Sequence, residues 1–103
     1  MSAVNEDIYT VDEIKDKVTP VLKEYNVKKA ILFGSYVDGK ARVKSDIDIL
    51  VDSGLHGLSF FELVADVQEV LQKEVDLIDV QEIARGSKID IEIANTGVVI
   101  YGR

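Results

Sequence analysis

Asp46 and Asp48 stand two residues apart in the run Ser45-Asp46-Ile47-Asp48-Ile49-Leu50-Val51. On a strand, residues at i and i+2 project from one face with Cα atoms about 6.5 to 7 Å apart, near enough for their carboxylates to share divalent cations. Hard oxygen donors of this kind suit Mg²⁺, which keeps several waters and completes its shell on substrate phosphates instead of a full protein cage. Both acids alternate with apolar residues, so their face is partly covered, and paired carboxylates there repel each other without a cation. A third acid, Asp76, lies in the similarly apolar Val75-Asp76-Leu77-Ile78. Three acids on adjacent strands can hold two metals about 3.5 to 4 Å apart, which stabilise the attacking and leaving oxygens of an in-line phosphoryl displacement.

A seat for phosphates stands ten residues before Asp46, at Gly34-Ser35. Glycine lets the backbone approach a ligand closely, amides at the start of a helix favour anions, and Ser35 adds a hydroxyl. Alone, a Gly-Ser after a strand is simply a turn, and an Asp-x-Asp pair is a common feature of solvated strands. Their combination with Asp76 gives the pattern its content. Tyr36 could stack on a base or bury its ring against the core. Lys40, Arg42 and Lys44 form a basic connection that is either exposed surface or a further hold on phosphate. His56, the only histidine, sits in the glycine-flanked loop Gly54 to Gly57 and reads as exposed. Arg85 and Lys88 read as solvated surface.

The elements that must position these residues follow from periodicity. Tyr9 to Tyr25 is expected as an amphipathic helix, with Thr10 and Glu13 as a capping box and Tyr9 with Ile14 as a hydrophobic staple. Pro20 either kinks this helix or, with Thr19 as a new cap, begins a second short one. Lys28 to Phe33 is a buried strand ended by Gly34, with a turn or short helix to about Gly39. Asp46 to Val51 is a strand with Ile47, Ile49 and Val51 on one face and the two acids on the other. Ser59 and Glu62 mark the start of a helix to about Lys73, with Leu58 and Leu63 as its staple. Val75 to Val80 is the third strand. Ile89, Ile91 and Ile93 then alternate as a strand would, but Ser87 with Asp90 as a start signal and Gly97 as a stop favour a helix from Ser87 to Asn95, followed by a final strand Val98 to Tyr101.

Composition sets the outer bounds. With 103 residues, 47% of them hydrophobic and 30% charged, the chain is expected to be one globular domain over 1–103, residues 1–8 forming a flexible N-terminus. A net charge of −7 argues against broad nucleic-acid binding, because an acidic surface repels phosphate backbones. With no cysteine there is neither a disulfide framework nor a thiolate metal site. Neither a basic and apolar leader nor a membrane-spanning run stands out, so a cytoplasmic location with no membrane partner is expected.

The order strand, Gly34-Ser35, ten residues, Asp46-Ile47-Asp48, helix, strand with Asp76 resembles the minimal nucleotidyltransferase family of the DNA polymerase beta superfamily, from about Val11 to Tyr101. The resemblance implies a single-domain α/β (α+β) polymerase-beta-like fold, a small mixed sheet flanked by helices. It also implies transfer of AMP from ATP onto a hydroxyl with two Mg²⁺ ions. Asp46, Asp48 and Asp76 would then be the catalytic and metal-binding acids, and Gly34 and Ser35 the triphosphate loop. Tyr36, Arg42 and Lys44 would complete the nucleotide site. Related sequences commonly read Ala-Arg-Gly where this one reads Val37-Asp38-Gly39. Family members of this size resemble antitoxins that bind HEPN-domain ribonuclease toxins and adenylylate a toxin tyrosine, so a HEPN-type partner is implied. The rival readings are a non-catalytic antitoxin or regulatory subunit that masks its partner, and a structural domain whose acids only bind a cation.

Overall fold

The structure, a computed structural model, describes residues 5–102. Its first helix, α1 (Val11–Glu24), starts on the capping box: the Glu13 amide donates to Thr10 Oγ1 at 3.1 Å and the Thr10 amide to Glu13 Oε1 at 2.8 Å. Pro20 neither breaks it nor opens a second helix. Thr19, the alternative cap, instead donates its hydroxyl to the Lys15 carbonyl at 2.6 Å. Val18 before the proline and Val21 and Leu22 after it are all buried, and that continuous apolar face offsets the roughly 3 kcal/mol that an internal proline costs.

Four strands follow: β1 (Lys29–Phe33), β2 (Ile47–Asp52), β3 (Val75–Asp79) and β4 (Val98–Tyr101). They form one mixed sheet in the order β3-β2-β1-β4, with β1 antiparallel to β2 and β4, and β2 parallel to β3. The helix α3 (Leu58–Leu71) makes the crossover that a parallel pair requires. A single-turn helix α2 (Ser35–Asp38) follows β1, and α4 (Lys88–Thr96) precedes β4. This is the small mixed α/β sheet with flanking helices that the resemblance implies. β2 begins one residue later than expected, so Asp46 stands just ahead of the strand.

The start of α3 differs from expectation. Gly57, with φ 56°, takes the cap position, and the amides of Phe60 and Phe61 donate to its carbonyl at 3.1 and 3.2 Å. Glycine reaches positive φ without steric cost, so the helix begins ahead of Ser59, which caps nothing. Leu58 is 80% exposed and no staple with Leu63 forms. The expected start of α4 holds: Ser87 Oγ accepts from the Asp90 amide at 3.3 Å, and the Asp90 carboxylate accepts from the Gly86 amide at 2.7 Å.

Alternation along the strands sorts side chains onto two unequal faces. On one, Ile14, Leu22, Leu32, Ile49, Leu63 and Leu71 are fully buried between the sheet and the pair α1 and α3. On the other, Phe33, Leu50 and Ile93 form a small buried cluster beneath α4. At the far end of the parallel pair, buried Asp79 accepts from the hydroxyl of Ser53 at 2.5 Å and from the Gln81 amide at 3.1 Å, fastening β2 to β3. Of the residues expected as a flexible N-terminus, 1–4 lie outside the described ones. Asn5 donates to the Tyr9 hydroxyl at 2.8 Å and to the Leu71 carbonyl at 3.2 Å. No helix among the described residues is long and apolar enough to cross a membrane.

The two helix starts separate in a stability test. Thr10→Ala is expected to cost about 1 kcal/mol in urea denaturation, whereas Ser59→Ala stays within about 0.5 kcal/mol of wild type.

Candidate active site

The parallel register sets Asp48 directly beside Asp76, and the antiparallel register sets Phe33 on the other side of Asp48. One row across the sheet therefore reads Phe33, Asp48, Asp76. The next row on the same face, Ile31, Leu50 and Ile78, is an apolar floor that α4 partly covers. Asp48 is half-buried against this floor, while Asp46 and Asp76 are exposed.

Gly34 follows Phe33 and turns the chain away from the sheet with φ 78°. A Cβ at this position would run into the Asp48 carboxylate. Only glycine allows the backbone to pass so close to the acid, and only glycine takes that φ without strain. The Gly-Ser loop and the Asp-x-Asp run, ten residues apart in sequence, thus meet at Asp48.

Burial pushes the Asp48 carboxyl up from 3.8 to about 6, and the negative charges of Asp76, Asp46 and Glu92 push in the same direction. Each of these influences raises it, and no basic side chain among the described residues offsets them. Glu92, on α4, gave no local signal in the sequence; only the packing of α4 over the acid face brings its charge to bear. Among the described residues no three carboxylate or imidazole groups close into a metal cage. An open set of carboxylates of one sign is the donor chemistry that fits Mg²⁺, which takes few protein ligands and completes its shell on water and phosphate. Asp46 and Asp48 would hold such an ion, with Asp76 beside them.

The other sequence candidates are placed less uniformly. Ser35 opens α2 next to Gly34 and is partly exposed. Tyr36 is 7% exposed with its ring in the main core and its hydroxyl without a partner among the described residues, so it is placed for packing and not for stacking on a base. The turn of α2 points it inward, which a one-turn helix does not reveal from sequence. Arg42 and Lys44 are exposed, and neither enters the charges that act on Asp48. Lys44 lines a separate hollow with Glu69, Lys73 and Glu74. His56 is exposed beside Phe60 and Phe61, at another hollow that contains Asp79. Lys73, which sequence reasoning missed, donates to the carbonyls of Asn5 at 2.9 Å and Val43 at 3.0 Å. It thereby ties the basic loop ahead of Asp46 to the N-terminal segment.

Residues 16–103 match the family model described as polymerase beta, nucleotidyltransferase. A protein of Methanocaldococcus jannaschii named "Putative protein adenylyltransferase MJ0435" is 45% identical over 71 residues, covering 66% of this chain and 75% of that protein. "Protein adenylyltransferase MntA" of Thermococcus cleftensis is 39% identical over 77 residues, covering 67% of this chain and 76% of its own. Among solved structures, a crystal structure of a toxin-antitoxin with AMP-PNP superposes with a TM-score of 0.70 at 26% identity, covering 86% of this chain and 73% of that one.

Two measurements test this geometry. Because the folded pKa of Asp48 lies above its unfolded value, the folded state binds more protons between about pH 4 and pH 6, and stability falls as pH rises through that window. Asp48→Asn removes this cost. With chelator present, the variant is expected to be more stable than wild type by about 1 kcal/mol at pH 7.5, after allowance for solvent screening, and equal to it at pH 3.5. Lys73→Met is expected to speed amide hydrogen exchange at Ser45 about fivefold and to cost about 1 kcal/mol, with Lys73→Arg closer to wild type.

Proposed function

The chain belongs to the polymerase beta nucleotidyltransferase family, and on that premise we propose that it transfers AMP from ATP, with Mg²⁺, to a tyrosine hydroxyl of a HEPN-type ribonuclease toxin, neutralising that partner in the cytoplasm. The observation that carries this reading is the row of Asp48 and Asp76 in register, with Gly34 pressed against Asp48. Nucleotide and acceptor chemistry can meet at one point of one sheet face. The names of the adenylyltransferase relatives and the AMP-PNP bound to a toxin-antitoxin neighbour support the choice of nucleotide and of a protein acceptor.

In this reading Asp46 and Asp48 hold the cation, Gly34 and Ser35 seat the triphosphate, and Asp76 accepts the proton of the attacking hydroxyl. A bound divalent cation supplies neutralisation of polyphosphate charge and in-line alignment. The acceptor oxygen forms a bond to the α-phosphorus, the bond from that phosphorus to the bridging oxygen breaks, and pyrophosphate leaves with the electron pair. The half-buried position of Asp48 limits the water around it, which strengthens its hold on a cation relative to an exposed acid. A net charge of −7 gives the surface long-range attraction for a basic partner protein.

One observation favours a second reading. Asp38, exposed at the end of α2, stands where related sequences commonly carry arginine, and neither Arg42 nor Lys44 acts on Asp48 in its place. A chain that holds its partner without transferring nucleotide would need no phosphate-binding cation there.

Incubation with labelled ATP, Mg²⁺ and the co-encoded partner separates the two. Label is expected on the partner, and Asp46→Asn with Asp48→Asn is expected to reduce it at least about a thousandfold. Neutralisation by an unlabelled partner complex, undiminished in the double variant, would establish the masking reading instead.

A further inference from the structure

The sheet order leaves β3 at an edge, and a groove of about 600 Å³ runs from Asp76 along that edge to the first turn of α4. Asp76, Ile78, Glu82, Ile83, Ser87 and Ile89 line it. Ile78 and Ile83 pack on the small buried cluster, whereas Ile89 is 39% exposed on the rim. We infer that this groove seats the aromatic ring of the acceptor tyrosine and sets the preference for a phenol over an aliphatic hydroxyl. The inference rests on the reading of the chain as an adenylyltransferase and adds to it the place and the selectivity of the acceptor.

Three features argue for this occupant. The groove begins at the acid that takes the acceptor proton, so a hydroxyl at its mouth lies beside Asp76. Ile78, Ile83, Ala84 and Ile89 give it an apolar wall, and a ring that buries roughly 150 Å² or more gains from such a wall, whereas the one or two carbons of serine or threonine do not. Its charged residues are Asp76 and Glu82 against Lys88 alone, an acidic balance that disfavours a triphosphate there and leaves the groove to a neutral ligand. Because β3 has no neighbouring strand on that side among the described residues, an incoming protein segment reaches the groove without displacing any described element of the fold. The transfer step is the one given above: the phenol oxygen bonds to the α-phosphorus, its proton passes to Asp76, and pyrophosphate departs.

Methyl NMR of the full chain, titrated with a hexapeptide bearing one tyrosine, tests the seat directly. The Ile78, Ile83 and Ile89 methyl signals are expected to move with this peptide and to stay in place with its serine counterpart. In AMP-transfer assays Ile89→Asp, a change on the surface, is expected to raise KM for the tyrosine peptide about tenfold or more while KM for ATP moves less than about twofold. Movement of the groove methyls with AMP-PNP instead of the peptide would assign the groove to the adenine ring and overturn the inference. Equal use of the serine peptide, or transfer to the tyrosine peptide with no response in the groove, would overturn it as well. Groove methyls that respond to the tyrosine peptide while no AMP is transferred would uphold the phenol seat and remove the adenylyltransferase reading.

Discussion

The in-register parallel pairing of β2 with β3 is the constraint on which the rest of the site depends. Asp48 and Asp76 come from segments separated by a loop and a 14-residue helix, and they meet only because Ile47 pairs with Val75 and Ile49 with Leu77 on the opposite face. A slip of β3 by one residue against β2 would turn Asp76 into the main core and bring Leu77 out beneath α4. The register is held at both levels. Burial of Ile47, Ile49 and Val51 fixes which face of β2 points inward, and the buried pair Ser53 and Asp79 fastens the far end. Main-core packing is therefore part of the chemistry, although none of its residues touches the acid face.

The same placement has an energetic cost that the fold carries. Asp48 is surrounded by burial and three like charges, and its carboxyl resists ionisation until about pH 6. Left to itself such a group destabilises the folded chain at neutral pH, and a cation removes that cost by giving the carboxylates a shared partner. Gly34 adds to the arrangement by omission. Its missing side chain leaves the space the Asp48 carboxylate occupies, so loop and acid can be close only as a pair.

Much of this was legible because it is local. The Thr10 box, the Ser87 cap, the period-two strands and the fixed interval between Gly34-Ser35 and Asp46 all depend on residues within a few positions of one another. Misreadings arose where a competing local choice or a distant contact decided. Gly57 could adopt positive φ and so took the start of α3 from Ser59, whose capping signal was otherwise sound. Pro20 could not be settled from sequence, because continuity of α1 depends on burial of both flanking turns against the sheet. The inward direction of Tyr36 depends on how a single helical turn sits on the core. Glu92 and Lys73 act across folds of the chain, through α4 packing and through two carbonyls far apart in sequence, so no spacing rule could point to them.

The two faces of the sheet also differ in how firmly they are closed. α1 buries four side chains and α3 three, whereas α4 buries Ile93 alone. Local opening free energy follows buried contact, so α4 is held less firmly than α1 or α3, by about one buried isoleucine, or roughly 2 to 3 kcal/mol. The acid face is thus the lightly held side of the sheet, while the α1 and α3 side carries the burial that keeps the register the acids require.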